Sequence, residues 1–156
     1  MSNDLDQSIP YKEVLDNLGI AVAIFDRNGN YQYVNTALVN WRNLPRRTFL
    51  QSNVHDFMDS ISSCVFDLVM EEKRCVSRLQ YYWDLQRLAP GARLRLTVGT
   101  PIFDAHSNIQ YVITMMQDVA EFQNQCSTLL KDNKVVAMKR QSAPVIQDQT
   151  IIAESP

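Results

Sequence analysis

The stretch Ala21–Asn35, AVAIFDRNGNYQYVN, constrains the fold more than any other. Ala21 to Phe25 is an unbroken apolar run. Asp26-Arg27-Asn28-Gly29-Asn30 follows, with residues that accept positive φ or close a side-chain-capped turn. Tyr31-Gln32-Tyr33-Val34 then resumes a strand-like pattern. Two strands about so tight a turn predict a β-hairpin. Asn35 comes next and suits the N-cap of a helix carrying Ala37, Leu38 and Trp41.

The flanking segments extend this frame. Tyr11 to Leu18 spaces Val14, Leu15 and Leu18 as a short amphipathic helix, with Asn17 and Gly19 as a stop. Pro45 to Ile61 predicts short helical pieces with Phe49, Leu50, Val54, Phe57 and Met58 as contacts. A firmer helix is expected after a cap at Ser62 or Ser63, with Val65, Phe66, Leu68, Val69 and Met70 as its apolar face. Lys73-Arg74 would sit at its C-terminal end, where the helix dipole favours cations.

Strands are then expected over Val76 to Trp83, Arg93 to Phe103 and Ile109 to Gln117, joined by the loop DLQRLAPGA and the turn DAHSN. In the last strand, alternation puts Ile109, Tyr111, Ile113 and Met115 on one face and Val112 and Met116 on the other. Asp118-Val119-Ala120-Glu121 opens like a capping box. From there Val119, Phe122, Cys126, Leu129, Asn133 and Val136 recur at alternating three- and four-residue steps. That is a short heptad stripe, with Asn133 at a seam position that would fix register. A helix lying on its own sheet is the alternative. After Arg140 the pattern gives way to a Pro-containing linker.

Grouped strands with helices between them predict an α+β domain: five antiparallel strands in one sheet, short helices on one face. Both sheet faces read as apolar, so the second needs the N-terminal helix, the exit helix or another copy of the chain. A homodimer is the expectation. The net charge of −2 provides no basic field for nucleic acid and no polybasic patch for a membrane. Apolar runs reach only about five residues, far short of the ~20 of a membrane span. The first ten residues, MSNDLDQSIP, are polar and do not form a secretory signal. Three widely spaced cysteines, Cys64, Cys75 and Cys126, form no CxxC pair, which disfavours disulfides and structural zinc and suits a cytoplasmic setting.

GIAVAIFDRNGNYQYVNTAL and VGTPIFDAHSNIQYVITMMQDVAEF together resemble the two ends of a PAS sensor domain. The resemblance covers about Tyr11 to Phe122. It implies a disordered N-terminus over 1–10, a PAS domain over 11–118, a signalling coiled-coil helix over 119–140, and a linker with the first residues of a further domain over 141–156. Departures from the family's pattern include Gln117 in place of Arg before the closing Asp, DAHSN in place of a Gly-containing turn, and Arg42-Asn43 and Gln51-Ser52 around the middle helices.

The family's ligands include haem and flavin. His55 and His106 are weak candidates for an axial ligand, and the Asn-Cys-Arg-Phe motif of covalent flavin attachment is absent, so both cofactors are disfavoured. A small organic ligand between sheet and helices is the remaining possibility. Candidate lining residues are Ala23, Phe25, Tyr33, Phe57, Cys64, Arg95, Thr97, Val112, Thr114 and Met116. The face of the fourth strand is open at this point. Alternation sends Leu94, Leu96 and Val98 to the core, whereas the resemblance, aligned on Pro101, favours Arg95, Thr97 and Gly99. Arg95 could there neutralise an acidic ligand.

No GxSxG, HExxH or P-loop motif is present, so no catalytic residue is expected in this chain. The tail TIIAESP resembles the entry to the AAA+ ATPase domain of bacterial sigma-54-dependent transcription activators. That resemblance implies further ATPase and DNA-binding domains, with sigma-54 RNA polymerase as their partner. The alternatives are a PAS module of a sensor histidine kinase and a ligand-free dimerisation scaffold.

Overall fold

The structure is a computed structural model that describes residues 9–58, 64–82 and 93–140. Helix α1 (Tyr11–Asp16) precedes β1 (Ala21–Asp26) and β2 (Tyr31–Val34), the expected hairpin. Helices α2 (Thr36–Arg42) and α3 (Arg46–Leu50), a 3-10 turn (Val54–Phe57) and α4 (Val65–Glu72) follow. Strands β3 (Val76–Tyr82), β4 (Arg93–Phe103) and β5 (Ile109–Asp118) come next, and then α5 (Val119–Lys131). The five strands form one antiparallel sheet in the order β2-β1-β5-β4-β3. The expectations for residues 1–8, for the loop 83–92 with Trp83, for Ser62 and Ser63, and for the tail 141–156 lie outside the described residues.

Two compact units divide the chain, residues 1–123 and 124–156. The first holds the sheet, α1 to α4 and the opening of α5. In the second, the described residues are the remainder of α5 and the chain after it to Arg140.

The turns of the β1–β2 and β4–β5 hairpins are built alike. Asp26 Oδ1 accepts from the backbone N–H of Asn28 and Asn30, both at 2.9 Å. Asp104 Oδ1 accepts from His106 at 2.8 Å and Asn108 at 3.0 Å. The positive φ needed before the closing Asn falls on Gly29 (87°) in the first turn and on Ser107 (66°) in the second. Serine occupies a left-handed conformation there, at a cost that glycine avoids.

A β-bulge follows each turn. Ile24 pairs with Tyr33 and Phe25 with Tyr31, so Gln32 is the extra residue. Ile102 pairs with Tyr111 and Phe103 with Ile109, so Gln110 is the extra residue. A bulge breaks simple alternation. Tyr31 and Ile109 therefore turn inward to the core, while Tyr33 and Tyr111 share the outer face with Ile24 and Ile102. This corrects the alternation expected for Ile109.

The inner face packs against the helices. Phe25, Tyr31, Val34 and Val112 meet Leu38, Phe49, Phe66 and Val69 in one buried cluster. Ala23, Thr114, Gly99 and Val76 form a row across four strands. A Cβ on Gly99 would stand 2.6 Å from Val65 Cγ1 and 2.8 Å from Val69 Cγ2, so α4 lies directly on that glycine.

Asn35 joins three elements. Its Oδ1 accepts from Val22 N–H at 2.9 Å and, as N-cap of α2, from Leu38 N–H at 3.1 Å. Its Nδ2 donates to the carbonyls of Leu15 and Ile20, each at 2.9 Å. Helix α4 departs from expectation at both ends: Cys64 occupies the N-cap, and Lys73 is the left-handed C-cap (φ 56°) rather than part of the last turn.

Candidate functional site

A cavity of about 710 Å³ lies between the inner sheet face and the helices, within the range of about 300–1,000 Å³ usual for small-molecule sites. Its apolar lining includes Phe25, Leu38, Leu44, Phe49, Val54, Phe57, Phe66 and Leu68. Aromatic contacts hold that wall in shape. Tyr31 meets Phe25 and Phe49 in tilted contacts, 4.5 and 5.4 Å between ring centroids, and Phe66 meets Phe25 edge-on at 5.7 Å.

A group of polar side chains gathers from β3, β4 and the end of α2. Gln80 Oε1 accepts from Thr97 Oγ1 at 2.8 Å and from Arg95 Nε at 3.3 Å. The guanidinium carbons of Arg42 and Arg95 lie over the Tyr82 ring, 5.4 and 5.6 Å from its centroid. Burial, with the neighbouring Arg42 charge second, pushes the proton affinity of Arg95 down to about 10. Burial also pushes the Tyr31 phenol up to about 12. Both groups keep their protons at neutral pH.

Tyr82 links this cavity to the start of α5. Its hydroxyl donates to Asp118 Oδ2. Asp118 also takes a two-pronged contact from Arg93, with Nε at 2.8 Å and Nη2 at 3.0 Å, and caps α5 by accepting from Glu121 N–H at 2.9 Å. The hydrogen bond from Arg93 is the main reason the Asp118 carboxyl is held well below the usual carboxylate range.

Of the residues expected to line a pocket, Phe25, Phe57, Cys64, Arg95, Thr97, Thr114 and Met116 line this cavity. Ala23 and Val112 are fully buried in the core and are not part of the lining. Tyr33 is displaced by the bulge at Gln32, and its hydroxyl meets Asp16 and the Lys12 carbonyl of α1, each at 3.2 Å. Arg95, Thr97 and Gly99 share the inner rows with Asp118, Met116 and Thr114, while Leu94, Leu96 and Val98 alternate to the other face. Arg42, Tyr31, Gln80 and Tyr82 escaped the sequence reading. The alternation of VSRLQYY holds the signal for Gln80 and Tyr82, once the pairing with Arg95 and Arg93 is known.

The expected helix stripe is shorter than its heptads. Helix α5 ends at Lys131. Asn133 takes a left-handed φ of 55°, with its N–H bonded to the Leu130 carbonyl and the Lys134 N–H to that of Leu129. This closes the helix as a Schellman motif, so Asn133 is a stop rather than a seam position, and Val136 lies beyond the helix, 92% exposed. Val119, Phe122, Cys126 and Leu129 remain on α5, with Val119 and Cys126 half-buried and Phe122 and Leu129 exposed.

His55, Cys64 and Asp67 bring one donor atom each within 4.8 Å of one another. Their contacts are satisfied locally. His55 Nε2 meets Asp67 Oδ1 at 2.8 Å, its Nδ1 meets Asn53 Oδ1 at 2.9 Å, and Cys64 Sγ donates to Asp67 Oδ2 at 3.2 Å. Burial pushes the Cys64 thiol up to about 11, so it stays protonated at neutral pH, unlike a thiolate ligand. His55 thus engages a carboxylate and an amide, and it is not among the residues lining the cavity.

A family model described as PAS fold matches residues 15–124. The chain is similar to a PAS domain from a two-component sensor histidine kinase, at 15% identity and a TM-score of 0.56, covering 69% of this chain and 92% of that one. It is similar to the PAS domain of Bordetella pertussis BvgS, at 13% identity and a TM-score of 0.54, covering 83% and 99%. A Rhodobacter sphaeroides LOV protein aligns at 12% identity and a TM-score of 0.61, covering 79% and 72%. No curated protein sequence matches.

Proposed function

The chain belongs to the PAS-fold family, and on that premise we propose that it is a sensory and dimerisation module: a small organic ligand in the cavity would set the state of α5. The observation that carries this reading is the cavity itself, about 710 Å³ in volume and apolar over most of its wall, with a compact group of polar side chains. The route outward is Tyr82. Its ring lies under the two guanidiniums, and its hydroxyl is bound to the carboxylate that caps α5. A ligand that draws Arg42 or Arg95 away from the ring changes the support of that cap. The two states need differ only in their affinity for the ligand. Catalysis has no part in this reading.

The second half of the proposal is a homodimer through the outer sheet face. Leu79 and Tyr81 are 61% and 72% exposed there, and Tyr111 and Met115 are also open to solvent. A single chain has little reason to leave so much apolar strand uncovered. The output we assign is a sigma-54-dependent activator of bacterial transcription in the cytoplasm, on the strength of TIIAESP. ATP hydrolysis and DNA contact would then belong to domains after this chain. A Walker A motif encoded within a few dozen residues after Pro156 supports that output, and its absence there sinks it. The similar histidine-kinase PAS domain favours a kinase output as the second reading. A phospho-accepting His on a helix downstream would select it.

Native mass spectrometry of the purified chain tests the sensor itself. A retained small molecule, released on denaturation, is expected. An empty cavity in protein prepared from several growth conditions would leave a ligand-free dimerisation scaffold.

A further inference from the structure

Among the described residues, Arg95 enters the cavity without a carboxylate partner. Three of the cavity's lining residues are arginines, Arg42, Arg78 and Arg95. Arg78 has Glu72 at 4.0 Å. Arg95 has the neutral Gln80, at 3.3 Å, and the face of Tyr82. The carboxylate opposite Arg95 in the β4–β5 ladder is Asp118, but its oxygens are engaged by Arg93 and Tyr82. Among the described residues no carboxylate forms an ion pair with Arg95. A cation withdrawn from water is costly unless an anion meets it. A guanidinium cannot escape that cost by losing its proton near neutral pH.

We infer that the ligand of this cavity is a small organic acid, with a single carboxylate on a ring-sized or chain-like apolar body. This rests on the preceding reading of the cavity as a ligand site. The carboxylate meets the fork of Arg95, with Arg42 beside it and Thr97 Oγ1 within the same polar group. A planar guanidinium suits a carboxylate because two N–H groups reach two oxygens at once. The body lies against Phe25, Tyr31 and Phe66. A polyanion is excluded because the wall away from these arginines is mostly apolar and offers further charges nothing to bind. A neutral molecule is disfavoured because it brings no anion to the Arg95 charge.

Isothermal titration and thermal melting of the full chain with matched probes test this. Phenylacetate is compared with phenylacetamide, and octanoate with octanamide. At least one acid is expected to bind at least about tenfold more tightly than its amide and to raise the melting temperature. Arg95→Met should abolish that preference while the unliganded variant melts at or above the wild-type temperature, since a half-buried charge has been removed. Arg42→Gln, a milder change, should weaken the acid and leave the amide unaltered, which keeps the test decisive if Arg95→Met fails to fold. Equal binding of acid and amide overturns the acid class and leaves the cavity reading standing. Failure of all the probes overturns both. A preference for the acid that survives both substitutions overturns the role of the arginines.

Discussion

At the scale of single residues, Asn35 holds the most weight for its size. It makes four buried or half-buried hydrogen bonds, two as acceptor and two as donor. As a helix cap, Asp would serve as well as Asn. Here it would not, because the Nδ2 atom faces the carbonyls of Leu15 and Ile20. Asn35→Asp should cost about 2–4 kcal/mol in urea unfolding at neutral pH, from lost donors and an anion set against two carbonyl oxygens. A loss below about 1 kcal/mol would mean that the cap is its only role. Ser107 presents the opposite case. It holds a φ of 66° where its twin Gly29 holds 87°. Ser107→Gly should stabilise by about 0.5–1 kcal/mol, seen as a higher melting temperature.

Asp118 adds a pH signature at the same scale. Its folded pKa is depressed, chiefly by the Arg93 hydrogen bond. A depressed carboxylate stabilises fully above its unfolded pKa, near 4, and loses that contribution as pH falls towards the folded value. Asp118→Asn keeps a capping oxygen but leaves Arg93 facing an amide. The expected loss is about 1–3 kcal/mol at pH 7, less than for a fully buried pair because the Arg93 side chain is 25% exposed. In denaturant titrations the gap between variant and wild type should narrow below about pH 4. A pH-independent gap would place the effect in packing.

At the scale of elements, the two hairpins explain where strand reading succeeds and fails. DRNGNYQYV and DAHSNIQYV share the Asp that caps the turn, the closing Asn and the bulged Gln. The turns were legible because Asp, Asn and Gly act locally. The bulges were not. They arise between strands, and each reverses the facing of the residues after the turn. That is why Tyr33, read as a pocket residue, lies on the outer face. The repeated Asn-x-Gln-Tyr was the available signal. The end of α5 shows a similar limit. The three-and-four spacing continues through Asn133, but the backbone closes the helix there because Asn accepts positive φ more readily than most residues. The seat of α4 is testable through Gly99. Gly99→Ala should cost about 1–3 kcal/mol, because both valines it meets belong to the helix core face. An unchanged unfolding midpoint would show that α4 can retreat freely.

At the scale of the whole molecule, the question is what covers the outer sheet face. Met115 pairs with Val22 and Val98 near its centre and is 37% exposed. In the proposed dimer, Met115→Arg should yield monomer in light scattering at concentrations where the wild type is dimeric. The monomer should keep a similar circular dichroism spectrum, since the side chain points away from the helix-packed core. A variant that stays dimeric removes this face from the interface.

The sequence by itself determined the order of elements, the two turns, the Asn35 cap and the start of α5, because each depends on side chains acting on their own or adjacent backbone. It also carried the family, through motifs near both ends of the domain's sequence. The tertiary structure alone decided the bulges, the inner facing of Arg95 and Thr97, and the meeting of Arg42, Gln80, Tyr82 and Arg95. Those residues come from α2, β3 and β4. Their chemistry exists only when strand register brings a half-buried cation beside a neutral amide and an aromatic face, and no local pattern encodes register across such distances.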